Sequence, residues 1–275
     1  MPVLLLMAAL LLAGCHSETV VQAPAAEDGT ATASLSSYLY RPTRRGPFPA
    51  VVLLHGCAGI LPKHKQWGDR LADWGYVALL VDSFAPRGVE RICEADDGQW
   101  QRFNTLRVAD ARSAARYLRE LDLVDANRVG VIGWSNGGTI VLDLSMQQND
   151  SPSTGFRSAV AFYPSCWQVL QENGEQRLPE VRTPLMIAMG ERDDWTHPEY
   201  CREWIEASDN QSRVELKLYP GAYHDFDNSR QPLATLTGVR VEGDGNGYGE
   251  VTVGFDQAAD RQAQEDLRDF LGRTL

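Results

Sequence analysis

The sequence predicts an α/β fold with a mostly parallel central sheet flanked by helices on both faces, and three observations lead there. Four short runs, AVVLLHG (50–56), YVALLVD (76–82), RVGVIGWS (128–135) and PLMIAMG (184–190), are continuously apolar and bounded by turn residues, as strands buried on both faces require. Stretches with apolar residues at about every third or fourth position lie between them, so strand and helix alternate. The chain has 275 residues, 43% of them hydrophobic, enough to bury a substantial core within one domain.

From the start of the chain, MPVLLLMAALLLAGC sets an apolar run too short to span a bilayer directly before Leu12, Ala13, Gly14 and Cys15. That is the shape of a cleavable export signal over residues 1–14, although no Lys or Arg precedes the run. The tetrad LAGC resembles the bacterial lipobox, which implies Cys15 as a lipid anchor and a membrane-attached protein in the bacterial periplasm. Residues 15–33 are small and polar and read as a flexible tether with too little apolar content to order itself. The folded domain is then expected over 34–275.

Within it, SLSSYLYRP (34–42) alternates like an outer strand, and the prolines and glycine of PTRRGPFP mark a turn. Helices are expected over roughly 64–74, 100–120, 136–147 and 256–272, with further strands at 157–163 and 214–220. The glycine-rich VEGDGNGYGEV (241–251) reads as a hairpin or surface loop. A formal net charge of -11 argues against a nucleic-acid partner, because nothing basic offsets repulsion from phosphates.

Setting Cys15 aside leaves Cys57, Cys93, Cys166 and Cys201, an even number suited to disulfide pairing in an exported protein. Three connectivities are possible. Cys57 with Cys93 and Cys166 with Cys201 are favoured because each pair would join neighbouring loops on the face where the motifs fall.

Gly133-Trp134-Ser135-Asn136-Gly137 matches G-x-S-x-G between a strand and a helical stretch. A turn this tight lifts the serine hydroxyl clear of the sheet, toward the helix N-terminus, in a strained conformation that flanking glycines accommodate. A serine hydroxyl needs a base, normally a histidine held by a carboxylate. Both are expected after the serine in sequence, beyond the carboxyl ends of later strands. His224 in YPGAYHDF fits by order and place. His16 falls in the tether, His64 heads what reads as a surface helix, His197 shares a loop with the acid, and His55 belongs to another motif.

For the acid, Asp193 has the G-x-x-D spacing from Gly190 and is preferred, with Asp194 left open. His55-Gly56 closes the first buried strand, so the backbone N–H groups of Cys57 and Asn136 are the candidate oxyanion donors. Phe84, Arg87, Trp134, Trp167, Trp195 and Tyr223 are the candidate pocket residues. No compact ligand spacing such as H-E-x-x-H occurs, so no metal and no cofactor is expected.

The segments AVVLLHGCAGI, GYVALLVDSFAPRGVERIC, GVIGWSNGGT, MGERDDWT, YPGAYHDFD and GFDQAAD together resemble the dienelactone hydrolase family, from about Ser34 to the C-terminus. The resemblance implies an α/β-hydrolase core and hydrolysis of a small-molecule ester or lactone. It also supports Ser135, Asp193 and His224 as the triad with the Cys57 and Asn136 amides opposite. Two departures stand out: the nucleophile position carries serine where the best-known members carry cysteine, and Gly56 stands where they place a glutamate. Those enzymes bind a carboxylated ring through arginines, a role for which Arg87 and Arg102 are the candidates here. The sequence therefore points to a serine esterase or lactonase. A peptidase or acyl transferase on the same scaffold, or a non-catalytic envelope binding protein, are the alternatives.

Overall fold

The computed structural model describes residues 17–24, 34–147, 155–173, 179–242 and 247–275. The expected export signal, Cys15 and residues 25–33 of the expected tether lie outside them.

Strands β1 (Ser17–Pro24), β2 (Ser34–Arg41), β3 (Phe48–Leu54), β4 (Val77–Val81), β5 (Val124–Trp134), β6 (Ser158–Phe162), β7 (Leu185–Gly190) and β8 (Val214–Tyr219) form one sheet in the order β1-β2-β4-β3-β5-β6-β7-β8. From β4 to β8 every pairing is parallel, whereas β1 and β2 run antiparallel to their neighbours. The apolar runs became parallel strands because both their faces are covered. Along β3, Ala50, Val52 and Leu54 pack with Ala111, Ala115 and Leu142 on one side. Val51 and Leu53 pack with Leu71 and Leu267 on the other.

Those partners come from the helices α1 (Pro62–Trp74), α2 (Asp97–Arg119), α3 (Asn136–Met146) and α6 (Gln257–Thr274), each close to its expected span. Two short helices, α4 (Cys166–Asn173) and α5 (Pro198–Ala207), were not anticipated. A disulfide between Cys166 and Cys201 joins them, and a second joins Cys57 to Cys93. Helix α2 starts where the Asp96 side chain accepts from the Gln99 N–H at 2.8 Å, supplying one of the bonds a helix N-terminus lacks.

The structure corrects the tether at its near end. Ser17–Pro24 pairs residue for residue with β2, from Ser17 opposite Arg41 to Pro24 opposite Ser34. Ala23 is buried and Val21 packs on the core, while Tyr40 donates a hydrogen bond to Glu18 at 2.8 Å and Arg41 to Ser17 at 2.7 Å. An edge strand needs only alternate apolar residues, because backbone pairing supplies its order and its outer face stays wet.

The glycine-rich segment does connect a hairpin, formed by β9 (Ala234–Arg240) and β10 (Tyr248–Val253) as a separate two-stranded sheet. Backbone N–H groups of the hairpin and of Gly254 just beyond it fasten it over the carboxyl ends of the main strands. Arg240 N–H donates to the Cys93 carbonyl at 2.9 Å, Thr252 N–H to Asp194 at 2.7 Å, and Gly254 N–H to the His224 carbonyl at 3.0 Å.

Candidate active site

Strand β5 runs directly into α3 at Ser135, which holds φ 54° and ψ −121°, a region that L-residues rarely occupy. The flanking glycines make this turn possible. A Cβ on Gly133 would stand 2.1 Å from the Gly137 carbonyl oxygen, and one on Gly137 would stand 2.2 Å from that of Leu54. Ser135 N–H donates to the Phe162 carbonyl at 2.9 Å, and Thr139 N–H to the Ser135 carbonyl at 2.9 Å, so the bend is tied to both neighbouring elements.

His224 Nε2 lies 3.0 Å from Ser135 Oγ, and His224 Nδ1 lies 2.8 Å from Asp193 Oδ2. Both His224 and Asp193 are buried. The other oxygen of Asp193 accepts from the N–H groups of Trp195 at 3.0 Å and Thr196 at 2.9 Å, which fixes the carboxylate and its charge. The imidazole is held between the rings of Tyr163, 4.4 Å away, and Trp195, 4.7 Å away. Asp194 faces elsewhere, with its two oxygens taken by the N–H and hydroxyl of Thr252.

Asn136 is the first residue of α3, where backbone N–H groups have no intrahelical acceptor. Cys57 lines the same cavity beside Ser135. The two segments are braced by Arg107, fully buried on α2, which donates to the His55 carbonyl and to Asn136 Oδ1. Asn136 in turn donates to Asn104 at 2.8 Å. Burial pulls the Arg107 guanidinium down to about 9. His55 is tied into the backbone around it: one ring nitrogen lies 2.8 Å from the Gly56 carbonyl, and the other accepts from Ser83 N–H at 3.3 Å. Burial, then the neighbouring Arg107 charge, holds His55 well below its usual range.

His64 departs from expectation. It is buried, not on the surface, accepting from Leu61 N–H at 2.8 Å and lying 5.2 Å from the Trp134 ring, because this end of α1 turns its side chains under the elbow. Burial and the adjacent Lys63 charge push it well below its usual range. His197 stands at the N-cap of α5, with its ring edge-on to that of Tyr200.

A buried polar hub beneath the histidine loop was invisible in the sequence. Asp227 accepts from Trp67 Nε1 and Trp134 Nε1, both at 2.8 Å, from the Tyr163 hydroxyl at 2.6 Å and from Lys63 at 3.1 Å. Lys63 also reaches Tyr163 and Asp225. Burial alone would raise the Asp227 carboxyl, but the Lys63 ammonium, with the Tyr163 and Trp67 donors, holds it below the usual carboxylate value. Burial would likewise lower Lys63, yet Asp225 and Asp227 together raise it.

Two cavities meet at Ser135, of about 290 Å³ and about 240 Å³, and share Cys57, Cys93 and Trp195 as walls. Trp167 lines the first and Trp134 the second, as expected. Three expected pocket residues do not line either. Phe84 is apolar and fills the space beneath His55 and Arg107, at 4.5 and 5.0 Å. Arg87 is drawn into a two-pronged pair with buried Asp110 at 2.8 and 2.9 Å. Tyr223 sits under the Arg192 guanidinium at 4.6 Å, and Arg102 is exposed on α2.

A mostly parallel sheet, a serine on a strand-to-helix elbow, and an acid and histidine on later loops define an α/β hydrolase. The sequence matches the family model for dienelactone hydrolases over residues 35–275, and the chain belongs to that family of ester-bond hydrolases. A Bradyrhizobium protein named as a 2-oxo-3-(5-oxofuran-2-ylidene)propanoate lactonase is 29% identical over 72% of this chain and 81% of its own. Among solved structures, a dienelactone hydrolase-like promiscuous phosphotriesterase from metagenomic libraries superposes with a TM-score of 0.68 at 17% identity, covering 95% of this chain and 99% of that one. A dienelactone hydrolase from Anabaena variabilis gives 0.64 at 14% identity over 94% and 99%.

Proposed function

We propose that the protein hydrolyses a carboxylic ester or lactone through an acyl-enzyme on Ser135, with His224 as the general base and acid and Asp193 as its orienting partner. The observation that carries this is the unbroken contact from Ser135 to His224 to Asp193, at 3.0 and 2.8 Å, on a serine held in a strained turn. In attack, Ser135 Oγ bonds to the carbonyl carbon while its proton passes to His224 Nε2. The Asp193 carboxylate stabilises the imidazolium. The carbonyl oxygen becomes an oxyanion facing the Cys57 and Asn136 N–H groups. Collapse breaks the bond to the alkoxide, which takes the proton from His224. Water then adds in the same way, returning Ser135 and releasing the acid.

Replacing Ser135 with alanine is expected to lower kcat for 4-nitrophenyl acetate by about 10⁴-fold or more, and a fluorophosphonate probe should label the wild type at this residue alone. Persistent turnover in the variant would overturn the assignment. The proposal extends to export and anchoring through Cys15, supported by the LAGC tetrad and by the pairing of the four later cysteines. The intact mass of membrane-extracted protein tests that part: a mature chain without added lipid overturns it.

A further inference from the structure

The two cavities at Ser135 differ in chemistry, and that difference divides a substrate between them. His224 lines only the smaller cavity, alongside the apolar Leu61, Leu236 and Val253 and the charged Lys63, Arg91 and Asp225. The leaving alkoxide must take its proton from His224, so the alcohol portion belongs there. The acyl portion is left with the larger cavity, which holds Asn136.

That larger cavity is walled by three indoles, Trp100, Trp167 and Trp195, interleaved with the amides of Gln101, Gln168 and Gln171. Indole faces take flat bodies, and carboxamides offer both donors and acceptors without charge. Among the described residues its lining holds one cation, Arg240, which already has a partner. Arg240 is paired with Asp97 at 2.6 Å, and the remaining charged side chain is the Glu242 carboxyl, which accepts from His197 N–H at 3.1 Å. The arginine of the resembling segment, Arg87, is committed to Asp110. Burial, with Asp193 adding to it, raises Glu242 to about 8 against the pull of the Ser165 hydroxyl and His197 N–H. At neutral pH it is a neutral group able to donate a hydrogen bond.

We propose that the larger cavity selects an uncharged, planar acyl group bearing a hydrogen-bonding substituent, and that Glu242 sharpens the discrimination against a carboxylated acyl group in alkaline solution. This rests on the assignment of Ser135 as nucleophile. A carboxylate entering this cavity would lose its hydration, compete with Asp97 for Arg240, and meet a like charge as Glu242 ionises, a penalty that a hydroxyl of the same size escapes.

The test uses two methyl esters of equal size, methyl 4-(hydroxymethyl)benzoate and monomethyl terephthalate, each measured as kcat/KM. The wild type is expected to prefer the hydroxymethyl ester at least tenfold at pH 7, and the preference to widen by pH 9 as Glu242 ionises. Glu242→Gln should keep the preference at pH 7 but lose its widening, and Glu242→Arg should shrink it severalfold or invert it. Equal rates on both esters in the wild type, or a preference unmoved by Glu242→Arg, would overturn the proposal. Failure of the nucleophile assignment reads differently: 4-nitrophenyl acetate would then be hydrolysed equally by wild type and Ser135→Ala.

Discussion

Among the described residues, three that are not glycine hold positive φ: Ser135, Tyr163 and Asp225. All three lie within the serine, histidine and Lys63 neighbourhood, where surrounding bonds hold conformations that would otherwise relax. Asp227 does much of the holding, since it joins the elbow residue Trp134, helix α1 through Lys63 and Trp67, and Tyr163 beneath the imidazole. Asp227→Asn would leave the Lys63 charge poorly matched and present an amide to existing donors, a loss expected to cost about 3–5 kcal/mol of stability. Its folded pKa lies below that of the unfolded chain, about 3.9. The stability it supplies is therefore fully present above that value and disappears as pH falls through the depressed folded value. Urea unfolding of wild type and variant across pH 2 to 7 should show the gap between them closing only at the acid end.

The two neighbouring aspartates separate cleanly at this scale. Asp193→Asn is expected to reduce kcat about 10⁴-fold by upsetting the histidine tautomer, while Asp194→Asn, at a carboxylate whose oxygens accept from Thr252 of the hairpin, should leave most of the rate. Steady-state kinetics on one aryl ester decide it. The choice of Asp193 could be read from its spacing after Gly190, and Ser135 and His224 from motif and order. Lys63 and Asp227 could not, because 164 positions separate them and neither sits in a recognisable pattern.

Element by element, the parallel strands were readable because burial on both faces forces a continuous apolar run. Strands β1 and β9 were hidden for the converse reason: with one face wet they need little apolar content, and SETVVQAP and ATLTGVR look like linker, whereas β10 begins inside the 241–251 stretch read as a hairpin or surface loop. Helix α2 was expected from its periodicity, yet what it delivers to the site is polar. Arg107, in a stretch chosen for its apolar spacing, bridges the carbonyl before Gly56 to Asn136 and so sets the distance between the two proposed oxyanion amides. Arg107→Lys keeps the charge but loses the two-pronged reach. It is expected to lower kcat by about tenfold to a hundredfold through misplacement, with a smaller change in KM. Loss in KM alone would instead mark Arg107 as a substrate contact.

For the molecule as a whole, two disulfides and a hairpin brace the loops at the carboxyl ends of the strands. The Cys166–Cys201 bond closes a sequence separation of 35 residues and ties α4 to α5. Replacing both cysteines by alanine should cost roughly 2–4 kcal/mol, read as a lower melting temperature with turnover largely intact. Cys57–Cys93 has a different place. It walls both cavities, and Cys57 carries one of the proposed amides, while the Cys93 carbonyl receives the hairpin.

That single cross-link gives maturation an order. A chain refolded with its thiols kept reduced should acquire helix and sheet first and remain silent toward esters. Turnover should then rise in step with the disappearance of the Cys57 and Cys93 thiols, so that esterase signal serves as a clock for oxidative folding.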